Sequence, residues 1–245
     1  MELKAAIQGQ LESSDTRVTP APAPVTTLTI FHFGPGKRLW AFMQMGLARP
    51  FLKNQPGLRF FKLLGSGRGK VFSLRPDWSR YAFLGVWENE AAARNFLANS
   101  TFMDRYKAHS KRQASIILRT ISAHGKWDGQ NPFLPVGAAY QNGQVAILTR
   151  ATIRPRRLGA FWRQASIVND YFDKAPGLIS SIGVGEAPFV RQATFSIWES
   201  LDQVKEFAYG ENEHRQTIRR VREEAWYSEE LFARFAVVEI DQPFP

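Results

Sequence analysis

The chain contains an internal duplication, and this duplication limits the folds that it can adopt. The segments Leu39–Gly67 and Leu158–Glu186 both begin with Leu and carry Ala-Phe two residues later. Each then shows an apolar helical pattern, a Pro-Gly-Leu triplet and an apolar strand-like run that ends at a glycine. Agreement of order and spacing over such a length indicates duplicated structural units.

A second pair of segments extends the duplication. Tyr81–Leu97 aligns with Gln192–Ala208, because in each an alternating strand pattern ends in Trp-Glu and a helical pattern follows. Each half therefore predicts the order β-α-β-β-α-β, the ferredoxin-like arrangement. The open face of such a sheet must be covered. We predict an α+β fold in which tandem ferredoxin-like repeats form a dimeric-type α+β barrel within one chain.

The duplication also predicts the domain boundaries. Residues 1–24, which end in a Pro/Ala-rich stretch, are predicted to be a disordered leader. The N-terminal ferredoxin-like repeat covers 25–122 and the C-terminal repeat covers 145–245, joined by a linker at 123–144 that is rich in Gly, Asn, Gln and Pro. Helical spacing predicts helices over Arg38–Lys53, Glu90–Ser110, Pro155–Ala175 and Leu201–Trp226.

The composition excludes several kinds of site. The 245 residues include no cysteine, which rules out disulfides, thiolate catalysis, cysteine-held zinc and iron–sulfur clusters. A bound metal would need histidine or carboxylate ligands. No apolar run approaches the roughly 18 residues of a membrane span, and the first residues lack the features of a secretory signal. The cytoplasm is therefore the expected compartment.

The positive charge of the chain is concentrated in one region. Residues 25–128 hold 17 basic and five acidic residues, whereas the net charge of the whole chain is +10. Such a surface would attract an acidic protein or an anionic membrane, although solubility explains it equally well. Nucleic acid is not an expected partner, because the chain lacks motifs such as the aromatic signature of RNA-recognition sheets.

Histidine is scarce, and one of the four stands apart. His32, His109 and His124 are expected to be surface or hydrogen-bonded structural residues. His214 lies in a predicted basic helix, where a neutral imidazole could point into a cavity and bind a metal. It could equally be a structural histidine at the start of a solvated helix, and the residues alone leave both interpretations open.

Four long motifs resemble a known enzyme family. They are "RLWAFMQMGLARPFL", "FFKLLGSGRGKVF", "ISAHGKWDGQNPF" and "EHRQTIRRVREEAWYSEELFARFAV". These segments resemble bacterial spheroidene monooxygenase, and the resemblance extends over residues 27–240. It implies an enzyme that oxidises C-2 of an acyclic carotenoid to a ketone, with heme b, molecular oxygen and reduced ferredoxin. It also implies kinship with tandem α+β barrel proteins, some of which bind heme.

The resemblance assigns a role to one residue of this chain. His214 stands in the C-terminal motif and is the expected proximal ligand of the heme iron. From their positions in the repeat, Trp162, Phe195, Phe207 and Trp226 are expected to line the apolar pocket around the cofactor and substrate. Reduced ferredoxin and an anionic membrane are the expected partners of the basic half. No distal catalytic residue is assigned.

Three hypotheses about function follow from the sequence. The first is the heme monooxygenase that acts on a carotenoid. The second is a non-enzymatic protein that binds heme or an apolar ligand, and the third is a cofactor-free monooxygenase of the same fold. His214 is the feature that separates them, because a cofactor-free enzyme does not need an iron ligand.

Overall fold

The computed structural model describes most of the chain. The described residues are 23–69, 71, 73–135, 142–173, 175–187, 189–209 and 225–243. Nearly all of the predicted leader, residues 1–24, and the candidate ligand His214 therefore lie outside the described residues.

Helices and antiparallel strands alternate in the N-terminal half. The strands are β1 (Val25–His32), β2 (Leu58–Gly67), β3 (Pro76–Trp87) and β4 (Arg112–Gly125). The helices are α1 (Arg38–Leu47), α2 (Arg49–Lys53), α3 (Glu90–Asn99) and α4 (Thr101–His109).

The described elements of the C-terminal half follow the same order. The strands are β5 (Val145–Ile153), β6 (Leu178–Ala187), β7 (Arg191–Trp198) and β8 (Tyr227–Ile240). The helices are α5 (Leu158–Asp173) and α6 (Leu201–Tyr209).

All eight strands form one closed antiparallel barrel. The strand order around it is β1-β3-β2-β6-β7-β5-β8-β4, so the two halves meet where β2 pairs with β6 and where β4 pairs with β8. The α+β class predicted from the sequence is confirmed, and the open face of each half-sheet is covered by closing the barrel. Among the described helices, none is long and apolar enough to cross a membrane.

The two sequence motifs of the duplication meet in space. In the N-terminal half Leu58 pairs with Trp87, and the backbone N–H of Glu88 donates to the carbonyl of Gly57 over 2.8 Å. In the C-terminal half Glu199 donates to Gly177 over 2.9 Å in the same way. Both glycines have positive φ angles, which explains the Pro-Gly-Leu triplet before each strand. A Cβ at Gly57 would also lie 2.7 Å from Cβ of Ala92.

Two predicted helices are each divided into two. The predicted helix Arg38–Lys53 breaks at Ala48, because Pro50 has no N–H to donate to the preceding turn. The predicted helix Glu90–Ser110 breaks at Ser100, whose hydroxyl accepts from the backbone N–H of Met103 and caps α4. The helix predicted over Leu201–Trp226 is described only as far as Tyr209.

The inside of the barrel is filled by side chains. Alternate residues of the strands point inward and form one buried apolar cluster. Two residues from the segment between the halves complete this cluster, because Trp127 and Phe133 are almost fully buried in it. The predicted linker 123–144 therefore contributes part of the core, and its first three residues belong to β4.

Candidate functional site

A groove crosses the outside of the barrel where β2 meets β6. It encloses about 190 Å³ and lies between α1, the β2–β3 hairpin and the β6–β7 turn. Apolar side chains dominate its lining, and they include Phe42, Met45, Leu74, Trp78 and Phe189. Phe42 and Trp78 contact each other with ring centroids 5.4 Å apart. A predominantly apolar lining suits a hydrocarbon group.

Tyr81 and Asp77 are the main polar side chains of the β3 wall of the groove. The hydroxyl of Tyr81 is buried and has no hydrogen-bond partner in the part of the chain that the structure describes. Burial, and then the charge of Asp77, raises the pKa of Tyr81. Burial alone would raise the pKa of Asp77, but hydrogen bonds from Ser79 and the charge of Arg80 lower it below its ordinary value. At neutral pH the wall thus presents a neutral phenol beside a paired carboxylate.

Beyond the groove, along β6 and β7, lies a group of largely buried small residues that we call the polar floor. Its members are small side chains on the outer faces of adjacent strands: Ser181, Gly183, Thr194 and Ser196. Gly185 and Gln192, which line the groove, are the next outward-facing residues after Gly183 and Thr194. The polar floor therefore begins next to the groove, on the same face of the β6–β7 ladder.

The polar floor replaces bulky side chains found at the same positions in the N-terminal half. The β2–β3 ladder places Leu63 opposite Phe83, whereas the β6–β7 ladder places Gly183 opposite Thr194. At the next position of the strand that faces the same side, Ser181 in β6 corresponds to Phe61 in β2. The N-terminal half thus carries large side chains at these positions, whereas the C-terminal half carries small ones, of which Ser181 and Thr194 are buried.

Exposure of a matching threonine confirms that the C-terminal half is more open here. Thr29, beside Phe83 on β1, is 0% exposed and hydrogen-bonded to Ser115 over 3.0 Å. Thr149, beside Thr194 on β5, is exposed. The hydroxyl of Ser181 is buried without a hydrogen-bond partner within the described ranges. Small side chains, an orphaned hydroxyl and an open edge are features that a bound prosthetic group would require.

Aromatic clusters border the polar floor at both ends. Trp198 lies at one end, where it contacts Phe207 at 5.1 Å and Phe172 at 6.1 Å between ring centroids. Phe161 and Trp226 lie at the other end and pack with Ile153. Aromatic side chains at both ends of the polar floor suit a flat group with apolar faces.

The four aromatic residues predicted to line the pocket do not form one cluster. Trp162 and Trp226 belong to the cluster at one end of the polar floor, and Phe207 belongs to the cluster at the other end. Phe195 points into the barrel, because its neighbours Thr194 and Ser196 alternate with it and face outward. Three of the four thus border the polar floor, and any contact with a cofactor stays a prediction.

The three described histidines do not converge on this site, although His124 stacks on Phe232, whose strand partner Thr149 lies beside the polar floor. His32 ends β1 with its Nε2 buried, His109 stacks on Trp40 at a centroid distance of 4.0 Å, and His124 stacks on Phe232 at 5.2 Å. None of the three lines the groove. No group of three or more histidines and carboxylates at metal-binding spacing occurs within the described residues.

A buried ionic network closes the barrel next to the groove. Glu186 accepts hydrogen bonds from Lys62 Nζ over 2.8 Å and from Trp127 Nε1 over 2.6 Å. Arg150, only 2% exposed, pairs with Glu229 and lies 3.6 Å from Glu186. Because these residues come from distant parts of the sequence, no local pattern could have revealed the network. The same is true of the groove.

Comparison with known proteins gives close relatives. No protein-family model matches the chain. It is 38% identical over 218 residues to spheroidene monooxygenase of Rhodobacter capsulatus, covering 88% of this chain and 90% of that protein. It is 36% identical over 242 residues to spheroidene monooxygenase of Rubrivivax gelatinosus, covering 97% and 93%.

Among solved structures, the fold resembles aldoxime dehydratase. One such structure has a TM-score of 0.55 at 12% identity, covering 87% of this chain and 81% of the other. A second, in complex with butyraldoxime, has a TM-score of 0.54 at 10% identity, covering 87% and 79%. At this level of identity the likeness concerns the fold alone.

Proposed function

The chain belongs to the spheroidene monooxygenase family and is an oxidoreductase, and we propose that it oxidises C-2 of an acyclic, spheroidene-like carotenoid to a ketone. In this proposal its two halves are tandem ferredoxin-like repeats, the cofactor is heme b, the oxidant is O₂, and reduced ferredoxin supplies the electrons. Conversion of CH₂ to C=O takes two insertions of oxygen, each using one O₂, two electrons and two protons. Water then leaves the geminal diol.

The groove supports an elongated apolar substrate. Its aromatic and aliphatic walls would exclude water from a polyene chain, and its polar end at Tyr81 and Asp77 would limit how the chain is oriented. The groove leads to the polar floor through Gly185 and Gln192. A chain bound in the groove would therefore present its end at the floor.

The observation that carries the proposal is the polar floor, where Gly183 and Thr194 replace the pair Leu63 and Phe83. Heme bound there would activate O₂, while the protein would determine its axial ligand, polarity and access. Trp198 and Phe207 at one end, and Trp226 at the other, would contact its edges. Ser181 would donate its free hydroxyl to the bound group.

His214 is the proposed axial ligand. It lies outside the described residues, but it follows Phe207 by seven positions, and Phe207 packs against Trp198 at the edge of the floor. Seven residues can span at most about 25 Å, so the imidazole can reach the floor. Its second ring nitrogen should donate to a carbonyl or carboxylate, which would fix the tautomer.

The electron donor would approach from the side of α5. Arg154 and Arg156, just before α5, are both exposed. Two exposed guanidinium groups close to the proposed cofactor would attract an acidic protein such as a ferredoxin.

An absorption spectrum tests the proposal. Protein produced with ample heme should show a Soret band, and His214→Ala should abolish it, whereas His109→Ala at the end of α4 should retain it. Reduced ferredoxin, O₂ and carotenoid should then give a product 14 mass units heavier, as CH₂ becomes C=O. Heme binding without product would favour a non-enzymatic binding protein. Turnover by protein free of iron would favour a cofactor-free monooxygenase.

A further inference from the structure

An apolar stripe is exposed on the helices that flank the groove. Leu39, Met43 and Leu47 recur every fourth residue of α1, and all three point outward, with Leu39 71% exposed. Phe42 on α1 and Phe51 on α2 extend the stripe, and both are more than half exposed. We call these five residues the α1–α2 stripe. Contiguous apolar patches on a protein surface mark sites of interaction.

The fold does not require this exposure. The core-facing side of α1 already holds the buried Ala41 and Gln44 and the partly buried Trp40 and Met45, and the other large apolar residues of the helix face outward. The matching helix of the C-terminal half places Phe161 at the position of Phe42, and Phe161 is only 5% exposed whereas Phe42 is 51% exposed. The same helical position can therefore be buried in this barrel, and in α1 it is not.

Positive charge surrounds the stripe. From Val25 to Pro76 the chain has nine basic residues and no acidic residue. Lys37, Arg38, Arg49 and Lys53 lie at the ends of α1 and α2 and are exposed. Within the described ranges, none of these four forms an ion pair with a carboxylate. Their charges are thus available to an anionic partner.

We propose that the α1–α2 stripe docks on the surface of an anionic lipid bilayer. Outward aliphatic and aromatic side chains with basic residues at both ends are the pattern of helices that lie in a bilayer interface. Trp78, which contacts Phe42 at the mouth of the groove, is half exposed, and tryptophan favours that interface. This inference rests on the proposed function: a carotenoid dissolved in the bilayer would enter the groove directly at Phe42 and Trp78.

Sedimentation with lipid vesicles tests the docking without cofactor or substrate. Purified protein should pellet with vesicles that contain phosphatidylglycerol, and much less with pure phosphatidylcholine. Leu39→Ser/Met43→Ser/Leu47→Ser should lower the partition coefficient about 10-fold or more, because three apolar side chains no longer enter the interface. Leu134→Ser/Ile179→Ser removes two exposed apolar residues elsewhere and should leave binding unchanged. Circular dichroism should show that all variants are folded.

Charge variants separate a bilayer from an acidic protein partner. Lys37→Gln/Lys53→Gln should weaken vesicle binding about 5-fold per charge, and 0.5 M salt should weaken it further. Wild-type protein that stays in the supernatant with every vesicle would overturn the proposal. Binding to an acidic protein that is lost in the charge variant but kept in the triple serine variant would instead identify a protein-docking surface.

Activity assays keep this proposal separate from the proposed function. The triple serine variant should lose oxidation of carotenoid embedded in vesicles, yet retain oxidation of carotenoid dissolved in detergent micelles. Vesicle binding by a wild-type protein that oxidises neither substrate would refute the oxygenase and leave the docking intact. Equal activity of the variant and the wild type in vesicles would refute the docking and leave the oxygenase intact.

Discussion

Gly183 lies directly opposite Thr194 in the β6–β7 ladder, at the position that Leu63 and Phe83 occupy in the β2–β3 ladder. The two halves share a backbone plan, so the difference concerns side chains alone. Phe83 is fully buried against α3 and α4 through Phe96 and Phe102. The strands β6 and β7 therefore carry smaller side chains at the polar floor than β2 and β3 carry at the matching positions.

A larger side chain in the polar floor should displace the cofactor. Gly183→Leu gives the C-terminal half the side chain found at Leu63, so the strand should accept it, and burial of a leucine contributes about 1.5–3 kcal/mol. We expect unchanged or higher thermal stability and at least a 10-fold lower heme content, measured from the Soret absorbance per protein. Gly159→Leu is the control, since a Cβ at Gly159 meets no atom within 4 Å. A normal heme content in Gly183→Leu would place the cofactor elsewhere.

The buried hydroxyl of Tyr81 should lower the free energy of unfolding of the protein without a bound ligand. Its buried hydroxyl has no hydrogen-bond partner within the described residues, and an unsatisfied buried polar group costs about 1–3 kcal/mol. We therefore expect Tyr81→Phe to raise the free energy of unfolding by about 1 kcal/mol, measured by urea denaturation. A lower stability would instead show that the hydroxyl has a partner, such as an ordered water molecule.

The duplicated motifs made the architecture predictable, because each has a local physical cause. Glycine is required at positions 57 and 177 because both have positive φ angles. The leucine after each glycine pairs with a tryptophan, Leu58 with Trp87 and Leu178 with Trp198. The division of the helices was predictable only in part. The Ser100 cap has a recognised sequence signature, but helical spacing continues through it.

The candidate site was much less predictable. Sequence spacing placed Phe195 beside Trp162, yet a strand alternates its faces, and only pairing with the other strands fixes which face is inside. The polar floor could have been found by aligning the two halves, since Ser181 and Gly183 stand against Phe61 and Leu63. The ionic network combines β2, β5, β6 and β8, and no local signal links them.

Breaking the buried network should strongly destabilise the barrel. Glu186→Ala removes the buried partner of Lys62, which keeps the more exposed Asp128, and removes the acceptor of Trp127 Nε1. A buried donor left without its acceptor costs about 1–3 kcal/mol, and we expect that decrease in urea denaturation. Lys205→Ala removes an exposed ion pair with Asp202 and should change stability by less than about 1 kcal/mol. Similar losses in both variants would mean that burial does not matter here.

Stability should also fall as the pH drops below neutrality, because His32 is held neutral. In the sheet, His32 lies opposite Arg80 on β3 and opposite Arg112 on β4. Burial first, and then these two positive charges, lower its pKa, while Asp77 opposes them. As the pH falls, His32 therefore binds a proton near pH 6.5 in the unfolded chain but only at a lower pH in the folded protein. The stability that neutral His32 contributes is fully present above about pH 6.5 and is lost as the pH falls through the pKa that His32 has in the folded protein.

The measurement is the free energy of unfolding between pH 7.5 and pH 5. His32→Gln should flatten its decline over this range, because glutamine does not titrate. Arg112→Gln should flatten it partly, since one of the two charges that face the imidazole is removed. An equally steep decline in all three proteins would assign the pH dependence to other groups. A free energy of unfolding that stays constant from pH 7.5 to pH 5 in the wild type would show that protonation of His32 does not lower stability.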